Sequence, residues 1–331
     1  MSAGIVRLRR VQLGLETTPG MGVPATVLWR GKGQVKDSRD RKVVDEDIGQ
    51  HIPKGRTYLA SEYGEFTMPD QPATFEQMPY ILACGVKAVT AGVADGTGSG
   101  MIYEYPQPVT GGNSIKAASI EAGDNVAVDE ITYGTVEEWT LSGATKDVIK
   151  VSAKWFGRTN VDGSFTAALT APAVEDMVFA GTKLFLDNSG GQPGSTQVSG
   201  SFLAFKVDWK TGWKGVFTGD GNAYFTEVEY QGAEITGSWT LRNDALGKAE
   251  RELARAGTIR LAKLLIEGSA LQAAGTVYSK KSVVFQGAIQ YDNVPDWSDS
   301  DGRVTVQLPW HVVDSDDIVP TVTVVIPAVS L

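Results

Sequence analysis

The sequence predicts a mainly β protein in which one building unit is stated twice. Three observations carry that expectation. Tyr63-Gly64-Glu65-Phe66-Thr67 closes an alternating run and leads through Asp70 to the helix-like stretch Phe75 to Val86. Thr236-Gly237-Ser238-Trp239-Thr240 closes another such run and leads through Asn243-Asp244 to a second helix-like stretch, Leu246 to Glu267. Beyond each helix lie two more alternating runs, 131–141 with 147–156 and 282–291 with 303–312. Strand, helix and strand pair thus occur twice, and Phe66 and Trp239 are the expected equivalent core positions. Abundant Thr, Val and Tyr favour strands, and 38 Gly favour frequent turns.

Length and charge bound the function. At 331 residues the chain can hold two domains of ordinary size. The composition is that of a soluble globular protein, 42% hydrophobic and 21% charged. No apolar run approaches the ~20 residues a membrane span needs. Arg7, Arg9 and Arg10 precede no apolar segment, so a secretory signal is not expected. The single cysteine, Cys84, excludes an intrachain disulfide framework and reads as a buried thiol on an apolar helix face. A reducing cytoplasm is the expected place of synthesis. A net charge of −9 argues against tight nucleic-acid binding, which needs a basic face. It is compatible with a surface past which a polyanion slides.

Taken in order, residues 1–26 form an extended arm and Thr26 to Gly31 a short strand. Residues 32–57 concentrate charge: Lys32, Lys36, Asp37, Arg39, Asp40, Arg41, Lys42, Asp45, Glu46 and Asp47, with Lys54 and Arg56 adding two more. Such a segment cannot support a core. It reads as a solvated loop or an extended hairpin, serving as an ordered contact arm or remaining mobile. In the strand from Tyr58 to Met68, Phe66 and Met68 share a face. Asp70 or Thr74 could cap the helix carrying Phe75, Met78, Leu82 and Val86, with Pro79 tolerated near its start. Gly96 to Gly100 forms a turn, because no strand–loop–helix context supports a phosphate cradle.

In Asp147 to Trp155, Ile149, Val151, Ala153 and Trp155 alternate with Lys150, Ser152 and Lys154, which means one packed and one polar face. Turn-rich residues 159–200 place a boundary near 175, giving units 1–175 and 176–331. The second unit opens with the strand Phe202 to Trp209, followed by a turn at Gly219 to Asn222. A long strand from Ala223 to Arg242 is interrupted at Gly232, and Gly257 kinks or splits the helix after it. Val304, Val306, Leu308 and Trp310 share a face. The apolar tail Val319 to Ile326 must pair with something to avoid aggregation.

Catalytic constellations are absent from the sequence. His51 and His311, the two histidines, lack partners at metal-ligand spacing. Asp299-Ser300-Asp301-Gly302 fails the calcium-loop register, since Trp297 and Leu308 stand where acidic ligands are required, and it reads as a hairpin turn. Glu137, Glu138, Glu227 and Glu229 read as a solvated sheet face rather than a glycosidase pair. No serine occupies a nucleophile elbow. No enzyme activity and no cofactor or metal are expected.

The opening Gly14-Leu15-Glu16-Thr17-Thr18-Pro19-Gly20-Met21-Gly22 resembles that of tail tube proteins of long-tailed bacteriophages. The same is true of the early strand, the long charged loop, and Glu137-Glu138-Trp139-Thr140-Leu141-Ser142-Gly143 followed by Val148 to Arg158. The resemblance covers mostly residues 10–160; the second half joins it only through the repeated architecture. It implies an antiparallel β-sandwich or barrel with a flanking helix in each of two tandem domains, in a structural virion protein whose stacked rings conduct DNA. Family members usually carry one such domain and form hexamers. Three two-domain chains would supply six, so a trimeric, pseudo-six-fold ring is expected. The implied partners are other copies of the chain, tape measure protein and loosely held DNA in the lumen, and tail terminator and distal tail proteins, with no membrane. The implied location is the virion tail, after assembly in the host cytoplasm. By analogy, Lys36, Asp37, Arg39, Asp40, Arg41, Lys42, Asp45, Glu46 and Asp47 are candidates for ring-to-ring contact, and deleting 36–54 is expected to leave soluble protein that cannot polymerise. The alternatives are a carbohydrate-binding or carbohydrate-acting β-sandwich protein, and a tail-completion or baseplate-hub protein sharing the tube fold.

Overall fold

A computed structural model describes residues 3–52, 55–294, 297–300 and 302–328. The fold is mainly β and antiparallel. The first half contributes β1 (Arg10–Leu15), β2 (Val27–Leu28), β3 (Gln34–Val43), β4 (Thr57–Pro72), helix α1 (Met78–Gly85), β5 (Val93–Ala94) and β6 (Gly100–Pro106). It continues with β7 (Ala118–Gly123), β8 (Val128–Ala144), β9 (Lys150–Gly157) and β10 (Thr159–Asp162). The second half contributes β11 (Thr182–Asn188), β12 (Phe202–Lys210), β13 (Trp213–Val216), β14 (Glu227–Tyr230), β15 (Glu234–Arg242) and helix α2 (Ala245–Arg255). After it come β16 (Arg260–Ala270), β17 (Lys280–Tyr291), β18 (Trp297–Ser300), β19 (Arg303–Val312) and β20 (Thr321–Pro327).

The ladders give the two halves a common strand order. In the first, β3, β4, β9 and the C-terminal part of β8 lie side by side. In the second, β12, β15, β19 and β18 do the same. A further run follows in each: β8 pairs with β7 and β7 with β1, while β17 pairs with β16 and β16 with β11. β8 is one continuous strand where the second half uses two, β17, which ends at Tyr291, and β18, which begins at Trp297.

The halves are joined edge to edge. β8 pairs with β12, so β3–β4–β9–β8–β12–β15–β19–β18 is one continuous sheet. A second junction is made by the apolar tail, whose strand β20 pairs with β17 on one side and β6 on the other. One face of the long sheet is aromatic and buried: Phe66, Trp155, Trp139, Trp209, Trp239 and Trp310 are each at most 2% exposed. Its other face carries Lys36, Ser38, Thr67, Lys154, Thr140, Lys206, Ser238 and Gln307. Strict alternation in β9, where Val151, Ala153 and Trp155 are buried between half-exposed neighbours, produces that division. A single apolar cluster runs through both halves.

Two helix boundaries differ from expectation. α1 begins at Met78, because Phe75 to Gln77 form a turn in which Thr74 Oγ1 bonds Gln77 Oε1 (2.9 Å). All eight α1 residues are buried, Cys84 among them. α2 ends at Arg255 instead of running to Glu267. Gly257 takes φ +66°, which closes the helix, and 260–270 form strand β16. Leu261, Leu264 and Ile266 are wholly buried there, and an apolar run of that length reads equally as strand or helix. The α2 start is capped by Asp244: the amides of Leu246 and Gly247 donate to its Oδ1 (3.0 and 3.1 Å). Near residue 175 the chain stays attached to the first half, through bridges Thr74–Asp176 and Val148–Val178.

Candidate assembly interface

The charged segment is an ordered hairpin arm along β3. Its ladder with β4 runs from Gln34 opposite Thr67 to Val43 opposite Thr57. Lys36 pairs with Glu65 (2.9 Å), Arg39 with Asp37 (2.8 Å), Lys42 with Asp40 (2.9 Å) and Glu46 with Arg56 (2.7 Å). Hydrogen bonds to Glu65 and Asp40 hold the Lys36 and Lys42 ammoniums above their ordinary pKa. Burial pushes Glu65 up, but bonds from Ser38 and Lys36 outweigh it and leave the carboxyl below its usual value. Exposed pairs of this kind contribute only ~0–1 kcal/mol each, so the backbone ladder sets the arm's shape. Arg41, Asp45 and Asp47 are exposed near the tip, and Lys54 lies outside the described residues.

Charge was the sequence's obvious signal here, and it hid an apolar one. Val43, Ile48, Ile52 and Tyr58 are 62%, 42%, 79% and 57% exposed around the arm's distal end. The arm's distal end thus displays an exposed apolar set as well as its charges. The spacing of Val43, Ile48 and Ile52 among charges could have revealed it.

The ends of the long sheet form a second surface. Among the described residues, β3 pairs only with β4, and β18 only with β19. The internal junction shows what such edges look like when covered. Register pairs run from Ala204 opposite Ala144 to Lys210 opposite Glu138. Trp139 stacks on Trp209 with centroids 5.3 Å apart, and Thr140 Oγ1 donates to Asp208 Oδ1 at 2.6 Å.

Phe66 and Trp239 occupy the same place in their strand quartets. Phe66 lies opposite Val35 and Trp155; Trp239 lies opposite Phe205 and Leu308. Both are fully buried, and each follows a glycine by two residues. A Cβ on Gly237 would stand 2.3 Å from Lys206 O and 2.4 Å from the Trp310 ring, and one on Gly64 would stand 3.0 Å from Ile131.

Three clusters of buried polar side chains elsewhere tie loops and strands together. Glu16, within the Gly14–Gly22 opening, is buried and accepts from the amides of Gly20 (2.5 Å) and Tyr133 (2.8 Å) and from Ser119 Oγ (3.0 Å). Burial raises its pKa above the ordinary value despite those bonds. Asp187 accepts from the amides of Gly194, Ser195 and Thr196 and fixes the loop after β11. Arg260 bonds both oxygens of Glu250 (2.8 and 3.2 Å), and Tyr291 OH donates to the same carboxylate (2.8 Å). Burial and the Glu250 charge push the Tyr291 phenol well above its usual pKa. Ser119 and Tyr133 reach Glu16, and Tyr291 reaches Glu250, from far along the chain, so these two clusters were not visible in sequence.

His311 Nδ1 sits 2.5 Å from Asp292 Oδ1 at the surface, and His51 is exposed in the arm. Burial pushes the Cys84 thiol far above its ordinary pKa, which makes it unreactive. The Asp299 turn is a hairpin, with Ser300 opposite Arg303 and the Gly302 amide donating to Asp299 Oδ1 (2.9 Å). Among the described residues no group of three or more His, Cys, Asp or Glu could hold a metal, and no helix is long and apolar enough to cross a membrane. The chain matches no protein-family model and no curated protein.

Proposed function

We propose that this chain is a structural subunit of a phage-type tail tube, assembling edge to edge into rings that stack into a conduit for DNA. The observation that carries the proposal is the doubled strand quartet. Two quartets of one strand order are joined inside the chain through unlike edges, β8 to β12, and the same two kinds of edge, β18 and β3, remain open at the sheet's ends. A heterologous junction that repeats makes a ring if the rotation closes, and closure removes exposed edges. Three chains would supply six quartets.

The sheet's polar face supports a lumen role. Its lysines are neutralised by neighbours, Lys36 by Glu65, Lys154 by Glu137 and Lys206 by Asp208, and Ser, Thr and Gln side chains stand among them. With Glu138 exposed on the same face beside Lys154 and Lys210, such a wall does not grip phosphates, which need unpaired cations. No catalytic role is assigned to the chain. The hairpin arm, projecting beyond the quartet with Ile48 and Ile52 exposed, is the ring-to-ring contact.

Electron microscopy of concentrated protein tests this directly. Rings and tubes are expected, and monodisperse monomers at every concentration would overturn the proposal. Ile48→Asp with Ile52→Asp should leave rings and abolish stacking; long tubes from that variant would remove the arm from the stacking contact.

A further inference from the structure

We infer that the open edge of β18 pairs antiparallel with the open edge of β3 in a second copy of this chain, in the register already used by β8 and β12. The inference rests on the self-assembly proposed above and specifies its lateral partner residue by residue.

The ladders fix the equivalence. In the first quartet Trp139 lies opposite Ala153, and Phe66 opposite Trp155. In the second, Trp297 lies opposite Val306, and Trp239 opposite Leu308. Counting along β9 and β19 therefore places Trp297 where Trp139 stands, Ser298 where Thr140 stands and Asp299 where Leu141 stands. On the other edge, Val35 opposite Phe66 matches Phe205 opposite Trp239. Lys36, Asp37, Ser38 and Arg39 then match Lys206, Val207, Asp208 and Trp209.

Transferring the internal pairs Lys206–Ser142, Val207–Leu141, Asp208–Thr140 and Trp209–Trp139 gives the external ones. Lys36 meets Ser300, Asp37 meets Asp299, Ser38 meets Ser298 and Arg39 meets Trp297 of the second copy. The Thr140–Asp208 hydrogen bond becomes a Ser298–Ser38 contact. The stacked tryptophans become an arginine over an indole, an attractive pair in its own right. One like-charge pair arises, Asp37 with Asp299, and Arg39 flanks it.

Exposure is the independent observation. At the internal junction Trp139, Leu141 and Val151 are 2%, 3% and 4% exposed. Their counterparts at the open edge include Trp297 at 65% and Val304, in the place of Val151, at 51%. Trp297, with only the Arg251 guanidinium over its ring (5.3 Å to the centroid), and Val304 are thus largely uncovered at the position where the internal copy has a neighbouring strand and the open edge has none, leaving the other ring face for Arg39. Because the two junctions are built alike, each turns the sheet in the same sense, which is the condition for closure.

Disulfide trapping tests the register. Ser38→Cys and Ser298→Cys are made in separate chains, the native Cys84 being buried and inert. Oxidised with copper–phenanthroline, a mixture of the two should give a disulfide dimer at about twice the 35.3 kDa monomer mass, and neither variant alone should. The double variant should give a ladder ending at the closed ring. Lys36→Cys mixed with Ser298→Cys, two residues out of register, should cross-link at least tenfold less, since the Cα separation exceeds disulfide reach. Circular dichroism and microscopy before oxidation establish that each variant folds and assembles. Rings without the Ser38–Ser298 bond, or dimers from either single variant alone, would overturn this pairing and leave the tube reading standing. Absence of rings in the unmodified protein would overturn both.

Discussion

Removing the equivalent aromatic residues from the two quartets should destabilise one and the same unfolding transition. Trp239 is wholly buried, with Trp310 stacked at 4.7 Å and Phe202 edge-on at 6.5 Å. Its indole N–H has no acceptor, so Trp239→Ala forfeits packing without breaking a hydrogen bond. Truncating a buried large aromatic costs ~3–5 kcal/mol, and each lost aromatic pair adds ~0.5–1.5 kcal/mol; Trp239→Ala should therefore reach about 5 kcal/mol. Phe66 is equally buried but has one aromatic neighbour, Trp155 at 6.5 Å, so Phe66→Ala belongs near 3–4 kcal/mol on the same scale. Urea unfolding followed by far-ultraviolet circular dichroism, at concentrations low enough to keep the protein dissociated, gives both values. The sheet and the apolar cluster run unbroken through both halves, so each variant should shift the single transition as a whole. A loss below about 1.5 kcal/mol in either, against the buried-aromatic range, would refute the packing argument. Two separated transitions, with each variant moving only its own, would refute the continuity.

Other predictions follow from individual contacts. Trp213 Nε1 donates to Gly85 O (3.1 Å), tying the second half to α1, whereas Trp209 Nε1 has no acceptor; Trp213→Phe should therefore cost about 1–2 kcal/mol more than Trp209→Phe in chemical denaturation. Arg260→Met strands the buried Glu250 carboxylate and should cost ~3–5 kcal/mol, while Arg260→Met with Glu250→Leu should recover most of that loss. Glu16 has a folded pKa raised above its ordinary 4.5, so the native state holds the proton more tightly than the unfolded chain. Its contribution is complete below pH 4.5 and is lost as pH rises through the folded value, so Glu16→Gln should gain stability relative to the parent between pH 4 and 7. Asp187 has the opposite sign: burial raises its pKa, the hydrogen bonds from Thr196, Gly194 and Ser195 outweigh it, and the net shift is down. Its stabilisation is present above its ordinary 3.8 and is lost as pH falls through the folded value, a loss that thermal melts of Asp187→Asn should no longer show.

What the sequence revealed was set by the range of the constraint. Strands β9, β12 and β19 were legible because alternation is local: a residue two positions along meets the same core. β16 was not, because Leu261, Leu264 and Ile266 are buried in a strand with scarcely any polar face, and only Gly257 marked where the helix stops. The cap at Asp244 is also local, its donors lying two and three residues away, but it was not read from the sequence. Glu16, Glu250 and Arg260 were not legible, since Ser119, Tyr133, Tyr291 and the Leu186 carbonyl reach them from distant strands. The arm's charges were visible, but Trp297 carried no sign of exposure, which depends on the absence of a neighbouring strand.

The faint sequence likeness between the two quartets of one strand order has the same physical origin. Equivalent strands need the same backbone spacing, and only positions that control spacing are held alike. Gly64 and Gly237 are such positions, because something presses on each from the packed face. What presses differs. Opposite Gly64 stands Gly157, and the Ile131 side chain occupies the room both glycines leave. Opposite Gly237 stands Trp310, whose own ring covers it. The same space is filled by a strand from another part of the sheet in one quartet and by the paired residue in the other. Identity is thus lost at both filling positions while the geometry is kept. Two residues on, Phe66 and Trp239 fill larger but differently shaped gaps, so their aromatic character persists and their identity does not. A strand order held in common by volume and backbone approach leaves a glycine, an aromatic residue and a threonine as its sequence trace, which is the trace this chain carries.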